Sequence, residues 1–352
     1  MIIKLCRKLA LKKKYYCTTD IKQIENAEII IIDINLDLKK NNIKDPQIKI
    51  KKYLDSFNKI LKHVRSSPLF IIQTTLPPGF TDHYIRPIIQ KNLNKNKINI
   101  NQINLSFSYE RVMPGEKYLD SIINNWRVVG GVNNRSILKT KKFFESFINT
   151  KKFPITILPD ITSAELAKII ENSYRAVNIA FIEEWSRLSE ALNIDIYKII
   201  SAIKIRPTHI NLSKPGFGVG GYCLTKDPLF GVVSNNMIYK KNLKFPFSTK
   251  AIEINRNMPN QTLNLAKKYI KNFKNKKIAI FGVSYKEDVG DIRYSPSIYI
   301  AKKLNKLGSK VFGYDPLVEK CDNFYDYYSK NLPETHNLDL IIIAVPHKIF
   351  SK

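Results

Sequence analysis

Four short runs of consecutive apolar residues set the first pattern along the chain. AEIIIIDINL (Ala27–Leu36), LFIIQTTLPPGF (Leu69–Phe80), INLSFSYE (Ile103–Glu110) and WRVVGG (Trp126–Gly131) are rich in β-branched or aromatic residues, and Pro or Gly closes two of them. Runs of this length without alternation predict strands buried on both faces, as in a parallel sheet. Between them, Ile48–Val64 and Ser136–Ile148 carry apolar residues at helical spacings. Strand and helix in turn predict an α/β domain built on a parallel sheet.

The texture changes at Asp160. ITSAELAKIIENSYRAVNIAFIEEWSRLSEALNI contains neither Gly nor Pro and predicts one long helix. Thr162 or Ser163, with Glu165 close behind, suits its N-terminus. A helix of this length is expected to organise a core or a dimer interface. A second helix is expected over Asp195–Ile205, then a glycine-rich loop, then more helix to about Lys271. KKIAIFGVSYKEDVGDIRYSPSIYIAKKLNKLGSKVFGYDP reads as strand, loop, helix and strand, and LDLIIIAVPH (Leu338–His347) as a further buried strand. The order is therefore α/β, helical, α/β, with no internal repeat.

Composition narrows the partners. The 352 residues hold 58 Lys+Arg against 30 Asp+Glu, a formal charge of +28. A nucleic acid could answer such a charge. The basic residues form no single arm or aromatic-studded stripe, however, so an anionic small-molecule substrate is expected instead, without nucleic acid. Cys6, Cys17, Cys223 and Cys321 form no CxxC pair, so neither a zinc site nor a redox dithiol is suggested. No window reaches the ~18 apolar residues of a membrane span. Met1–Tyr16 is broken by Arg7 and Lys8 and does not read as a signal peptide. A cytoplasmic protein with no membrane partner is expected.

The sharpest local feature is PGFGVGGYCLTKDP (Pro215–Pro228), which places four of the chain's 13 glycines in six positions before Cys223. Gly216, Gly218 and Gly221 match G-x-G-x-x-G, but Pro215 rules out the preceding strand that a dinucleotide fingerprint needs. A loop whose bare backbone packs against a ligand is the better reading. Cys223 is either a nucleophile, with Lys226 and Asp227 one turn away, or a small buried side chain in a tight turn. Lys168 and Asn172 lie four apart on the long helix with Glu165 on the same face. They could hold an oxyanion or a water, or simply form a solvated face.

YERVMPGE (Tyr109–Glu116), SAELAKIIENSYRAVNIAFIEE (Ser163–Glu184), PGFGVGGYCLTKDP and FGVSYKEDVGDIRYSPS (Phe281–Ser297) together resemble the UDP-glucose/GDP-mannose dehydrogenase family in order and spacing. The variants are most similar to its UDP-N-acetylhexosamine branch. The resemblance implies two Rossmann-like parallel-sheet domains joined by a central helical dimerisation domain. Their expected bounds are 1–158 for a partial NAD-binding domain, 159–258 for the central domain and 259–352 for a UDP-sugar-binding domain. It also implies a homodimer and an NAD-dependent oxidation of a UDP-sugar C6 alcohol to the uronic acid, feeding surface polysaccharide synthesis. In that chemistry Cys223 traps the aldehyde as a thiohemiacetal and then carries a thioester. Lys168 and Asn172 match residues that stabilise oxyanions and position water, Asp227 the acid/base, and Glu110 a carboxylate of the hydrolysis. Lys214, Pro215, Gly216, Phe217, Gly218, Val219 and Gly220 match the loop over the sugar nucleotide. Tyr285 and Lys286 match substrate contacts. Arg206, with His209 as competitor, matches an arginine that reaches the partner subunit's substrate. Thr74, Thr75, Lys226 and Arg293 fall at cofactor contacts.

The pattern also departs from that family. No strand with a GxGxxG turn opens the chain, and INLDL stands where a Thr-Pro pair is usual. Without that turn the first domain is expected to be incomplete, NAD affinity to be low, and the chain to be weak or inactive by itself. The alternative reading is a non-catalytic remnant that dimerises and binds UDP-sugar.

Overall fold

A computed structural model of the chain describes residues 15–40, 42–95, 103–115, 117–321, 323–332, 334 and 336–351. Cys6, most of the leader-like start and Glu116 lie outside the described residues. The chain divides into two compact units.

The first unit comprises Met1–Asp37, Lys49–Glu110 and Asn124–Ala164. Its sheet contains β1 (Ile29–Ile32), β4 (Leu69–Ile72), β5 (Asn104–Phe107), β6 (Arg127–Gly131) and β7 (Ile155–Ile157), hydrogen-bonded in that order. The intervening β2 (Leu38–Lys40) and β3 (Gln47–Ile48) form a separate antiparallel hairpin counted with the second unit. β4 and β5 are buried at every position, as their unbroken apolar runs require. Two details depart from expectation. β1 lies at the edge of the sheet, so Ile30 and Ile32 are buried while Ile29 and Ile31 face outward. β6 runs antiparallel to β5, whereas the other pairs are parallel. The chain between β5 and β6 passes through Arg111–Ile123 of the second unit, which includes a short helix at Tyr118–Ile123, and then re-enters the sheet reversed.

Helices α1 (Ile50–Leu61), α2 (Arg86–Lys95) and α3 (Asn134–Glu145) belong to this unit. α1 buries Tyr53, Phe57 and Leu61, one residue per turn. Asn133 caps α3 by accepting the Ser136 N–H at 2.8 Å.

The long helix is α4 (Ile161–Ala191). Its start differs from the expected Thr162 or Ser163: the Asp160 carboxylate accepts the Ser163 N–H at 2.7 Å and serves as the cap. Asp is at least as good an N-cap as Thr, and here it comes first in the chain.

The second unit comprises Leu38–Ile48, Arg111–Ile123 and Glu165–Lys352. After α4 come α5 (Ile196–Ile203), capped by Asp195, and α6 (Pro246–Tyr269), which carries Pro259 inside it. Asn255 on α6 donates to the Ala176 carbonyl of α4 at 3.1 Å. Then β8 (Lys277–Phe281), α7 (Pro296–Lys306), β9 (Lys310–Tyr314), β10 (Tyr327–Ser329) and β11 (Leu340–Ile343) build a wholly parallel sheet in the order β10-β9-β8-β11. Ile278, Ile280, Ile300, Leu304 and Val311 form its core with α7. The strand order reverses direction between β8 and β11, which makes their carboxyl ends the topological switch point.

Glu183 on α4 is buried, with Arg187 one turn on at 3.7 Å. Burial raises its carboxyl to about 7, with Arg187 opposing the shift and Glu190 adding to it. A folded-state pKa above the unfolded value means that the native state holds the extra proton between the two. Stability carried by the neutral acid is full below the unfolded value of 4.5 and is lost as pH rises toward 7. Glu183→Gln is therefore expected to stabilise the protein by about 1–3 kcal/mol at pH 8 and to change little at pH 4. Urea unfolding at both pH values measures the difference.

Candidate functional site

The cysteine loop belongs to the second unit. Cys223 is exposed. Its carbonyl accepts from the N–H groups of Lys226 at 3.1 Å and Asp227 at 2.9 Å, so residues 223–227 close one helical turn. The glycines ahead of it do not all serve one purpose. Gly221 has φ +78° and Gly218 φ +158°. A side chain at Gly220 would meet Tyr285 and the Tyr294 carbonyl, one at Gly221 the Tyr285 ring, and one at Gly218 Pro296 and Pro259. Only Gly216 faces open space. Three of the four glycines thus allow close approach of neighbouring protein, and Gly216 remains for a ligand.

Beneath the loop a carboxylate is buried completely. Asp227 accepts from Lys226 Nζ on Oδ1 at 2.7 Å and from Asn172 Nδ2 on Oδ2 at 2.8 Å. The Lys226 ammonium also lies 4.5 Å from the Tyr222 ring centroid and 4.4 Å from that of Phe230. A carboxylate out of water is tolerated only when its charge and both oxygens are answered, and this arrangement does so. Lys226, expected at a cofactor contact, is paired here with Asp227 and two rings. Asn172 shares its helix face with Lys168 and Glu165, all three buried. The solvated-face alternative for this trio does not hold, because all three are buried, and Asn172 meets the loop through Asp227.

A third element carries Tyr285, Lys286 and Arg293 on the connection between β8 and α7. The Gly221 N–H donates to the Arg293 carbonyl at 2.9 Å, which ties this connection to the cysteine loop. Burial raises the Tyr285 hydroxyl above its ordinary value, with the Asp291 and Cys223 charges adding and Arg293 opposing. Cys223 is thus an electrostatic neighbour of both Tyr285 and Arg293. The Arg293 guanidinium itself clasps Asp291, with Nη2 to Oδ2 at 2.7 Å. Burial works against the Asp291 charge, but these bonds hold its carboxyl below the usual range. Lys286 is exposed, as are Arg206, His209 and Lys214.

Glu110, Thr74 and Thr75 belong to the first unit. Thr74 and Thr75 follow β4, and Glu110 follows β5, at the carboxyl edge of that sheet, where α/β folds bind ligands. Thr74 is buried and its hydroxyl donates to the Ile34 carbonyl at 2.8 Å, a structural bond; Thr75 is only partly buried. Ser108, also at this edge, is buried, and its Oγ has no hydrogen-bond partner among the described residues. An orphaned hydroxyl there fits a polar ligand at the strand ends. No glycine precedes Gly79, so a glycine turn for a dinucleotide's diphosphate is not among these residues.

Sequence reasoning missed two features of the second unit. Arg111 clasps Glu171 of α4, Nη2 to Oε2 at 2.9 Å, fastening the segment after Glu110. Ser284, Asp315 and His347 meet in the interior at the switch point. The signals were present in ERVMPGE and in the polar residues that end GYDP and AVPH, but nothing in their spacing relates them. A groove of about 660 Å³ elsewhere in this unit is lined by Glu184, Arg187, Glu253 and Arg256 among others. None of the expected site residues lines it.

An exposed thiol on a glycine loop is backed by a buried Lys–Asp–Asn cluster and tied to the connection that follows β8 of a Rossmann-type parallel sheet. Comparison with known families gives the class of protein. The NAD binding domain of the UDP-glucose/GDP-mannose dehydrogenase family matches residues 2–148, its central domain residues 162–257 and its UDP binding domain residues 279–352. The chain belongs to this family. It is 35% identical over 299 residues to the UDP-N-acetyl-D-mannosamine dehydrogenase of Methanocaldococcus jannaschii, covering 85% of this chain and 61% of that protein. A Campylobacter jejuni protein of the same name is 28% identical over 337 residues, 93% of this chain and 79% of that protein. Among solved structures, the UDP-N-acetyl-mannosamine dehydrogenase of Staphylococcus aureus superposes with a TM-score of 0.79 at 28% identity, covering 98% of this chain and 76% of that one. A Pyrococcus horikoshii structure at 24% identity and TM-score 0.81 shares the fold. The chain spans less than two thirds of the length of the Methanocaldococcus relative.

Removing one member of the buried ion pair leaves the other charge uncompensated. Lys226→Met is expected to cost about 3–5 kcal/mol of stability, more than Lys226→Met combined with Asp227→Leu. Chemical denaturation of both variants checks the order.

Proposed function

We propose that the protein is an NAD-dependent nucleotide-sugar 6-dehydrogenase that oxidises the C6 alcohol of a UDP-N-acetylhexosamine, UDP-ManNAc or UDP-GlcNAc, to the uronic acid. The observation that carries this reading is the exposed Cys223 one turn from the anchored Asp227, in a chain matched by all three domains of the family. Two NAD⁺, bound in turn, would each accept one hydride of the four-electron oxidation. The strand ends of the first unit, with Thr75 and Ser108, would hold the cofactor.

The rest is the work of the chain's own residues. The Cys223 thiolate adds to the C6 aldehyde carbon and forms a thiohemiacetal, so the reactive aldehyde never leaves. The second oxidation leaves a thioester. Water attacks its carbonyl, the C–S bond breaks, and the carboxylate and thiol are released. Lys168 and the Asn172 amide stabilise the oxyanion of each tetrahedral stage. Asp227, fixed at both oxygens, moves the proton between thiol and water. Glu110 assists hydrolysis. Lys214, Gly216, Phe217 and Val219 close over the sugar nucleotide, and Tyr285 and Lys286 contact it. The uronic acid product suits surface polysaccharide synthesis in the cytoplasm.

The working unit in this reading is a homodimer. Leu166, Ile170, Tyr174, Phe181, Trp185 and Leu188 form a stripe along α4, each 44–59% exposed. A contiguous apolar stripe at helical spacing is what a second copy would cover. Arg206 then reaches the partner's substrate.

NADH formation by the purified chain at saturating NAD, with UDP-ManNAc, UDP-GlcNAc and UDP-glucose in parallel, tests the chemistry. Turnover is expected to be weak, as the missing glycine turn implies, to favour an N-acetylhexosamine and to be abolished in Cys223→Ala. Binding of UDP-sugar with no turnover by any arm would instead favour the non-catalytic reading. Sedimentation velocity tests the dimer: Phe181→Glu with Trp185→Glu should give a monomer, and a monomeric wild-type chain would sink the assignment of this face.

A further inference from the structure

In a dinucleotide-binding sheet the switch point is open to the ligand, and an acidic residue at the end of the second strand binds ribose. The second unit has this strand order but uses the same place differently. Asp315, which directly follows β9, is fully buried. Its Oδ2 accepts the N–H groups of Val283 and Ser284, both at 2.8 Å, and its Oδ1 that of Leu317 at 2.9 Å. His347, beyond β11 and also buried, supplies the fourth contact, with Nε2 3.1 Å from the same Oδ2. Across the ring, Nδ1 accepts the Asp288 N–H at 2.9 Å. Nδ1 must offer its lone pair there, which places the ring proton on Nε2, facing Asp315. Ser284 Oγ lies 3.1 Å from Nε2 and donates to the Lys286 carbonyl at 3.2 Å.

Asp315, the Ser284 hydroxyl and His347 thus grip the β8–α7 connection from inside at 283, 284, 286 and 288, on both sides of Tyr285. Tyr285 has its own N–H fixed to the Asp291 carbonyl at 2.8 Å. Its side chain is what Gly220 and Gly221 approach so closely that neither could carry a Cβ. From Gly221 the bonded path continues through Thr225 Oγ1, which donates to the Gly221 carbonyl at 3.0 Å, into the turn of Cys223.

We infer that His347 and Asp315 are positioning residues: by closing the switch point of the second sheet they set Tyr285 and, through Gly220 and Gly221, the pose of the Cys223 loop. The two sheets of the family then divide the labour. The second sheet gives up a dinucleotide site and gains a rigid mount for the nucleophile's loop. This inference concerns the same site as the proposed dehydrogenase reaction, but its test does not require that reaction.

The test is amide hydrogen exchange at residues 282–294 and 216–225, together with the rate of Cys223 alkylation by iodoacetamide, read by peptide mapping in the full chain. His347→Ala is expected to speed exchange in both segments, and to change the Cys223 rate, by roughly tenfold. His347→Gln carries an acceptor and a donor on one carbon, as the ring does, and should restore both to within about threefold of wild type. Ser284→Ala, a milder cut, should give a smaller change of the same kind and covers the case in which the alanine variant does not fold. Faster exchange at 282–294 with 216–225 and Cys223 unchanged would overturn the coupling, and so would no change in either segment. Titration of UDP into the same samples separates the two readings. Intact coupling in a chain that binds no UDP would count against the proposed function alone.

Discussion

One buried carboxylate constrains the cysteine loop of the second unit. Asp227 has no access to solvent, and a charge in that state demands a counter-charge and donors for both oxygens. Lys226 and Asn172 meet the demand from two directions. Because Asn172 stands on α4 and Lys226 in the turn begun by Cys223, satisfying Asp227 fixes the thiol's turn against the long helix. The ammonium is further enclosed by Tyr222 and Phe230, so the neighbouring side chains of the turn are specified as well.

The same logic recurs at the switch point of the second sheet. Asp315 is also buried, and there the answering groups are backbone amides and an imidazole rather than an ammonium. The two clusters hold the two walls of one loop system: Asp227 the turn after Cys223, Asp315 the connection that carries Tyr285. Between them lie glycines that cannot be replaced without moving one wall, since Gly220 and Gly221 already touch Tyr285 at the limit of packing. A loop rich in glycine is usually read as mobile, but here most of that glycine is required for close packing.

Much of this was legible in the sequence. The unbroken apolar runs located β4, β5, β6 and β8, because a strand buried on both faces has no polar register to show; β11 carries the same kind of run and was expected to be buried, but it lies at the sheet edge with Ile341 and Ile343 exposed. Gly- and Pro-free periodicity located α4, and the spacing of Lys168 and Asn172 placed them on one face. Edge and direction were not legible. β1 has the same Ile-rich run as a central strand, and the reversal of β6 depends on where the chain goes after Phe107.

What the sequence by itself determined is the set of elements and the chemical inventory: two sheet-forming regions, one long helix, a cysteine behind four glycines, and motifs sufficient for the family. Local periodicity and turn chemistry act over a few residues, so they can be read along a chain. Only the tertiary structure decided who answers whom. Asp227 and Asn172 are 55 residues apart, and Asp315 and His347 are 32 apart. Which buried charge meets which donor is decided by burial, since only the removal of water makes an unpaired carboxylate costly enough to select its partners.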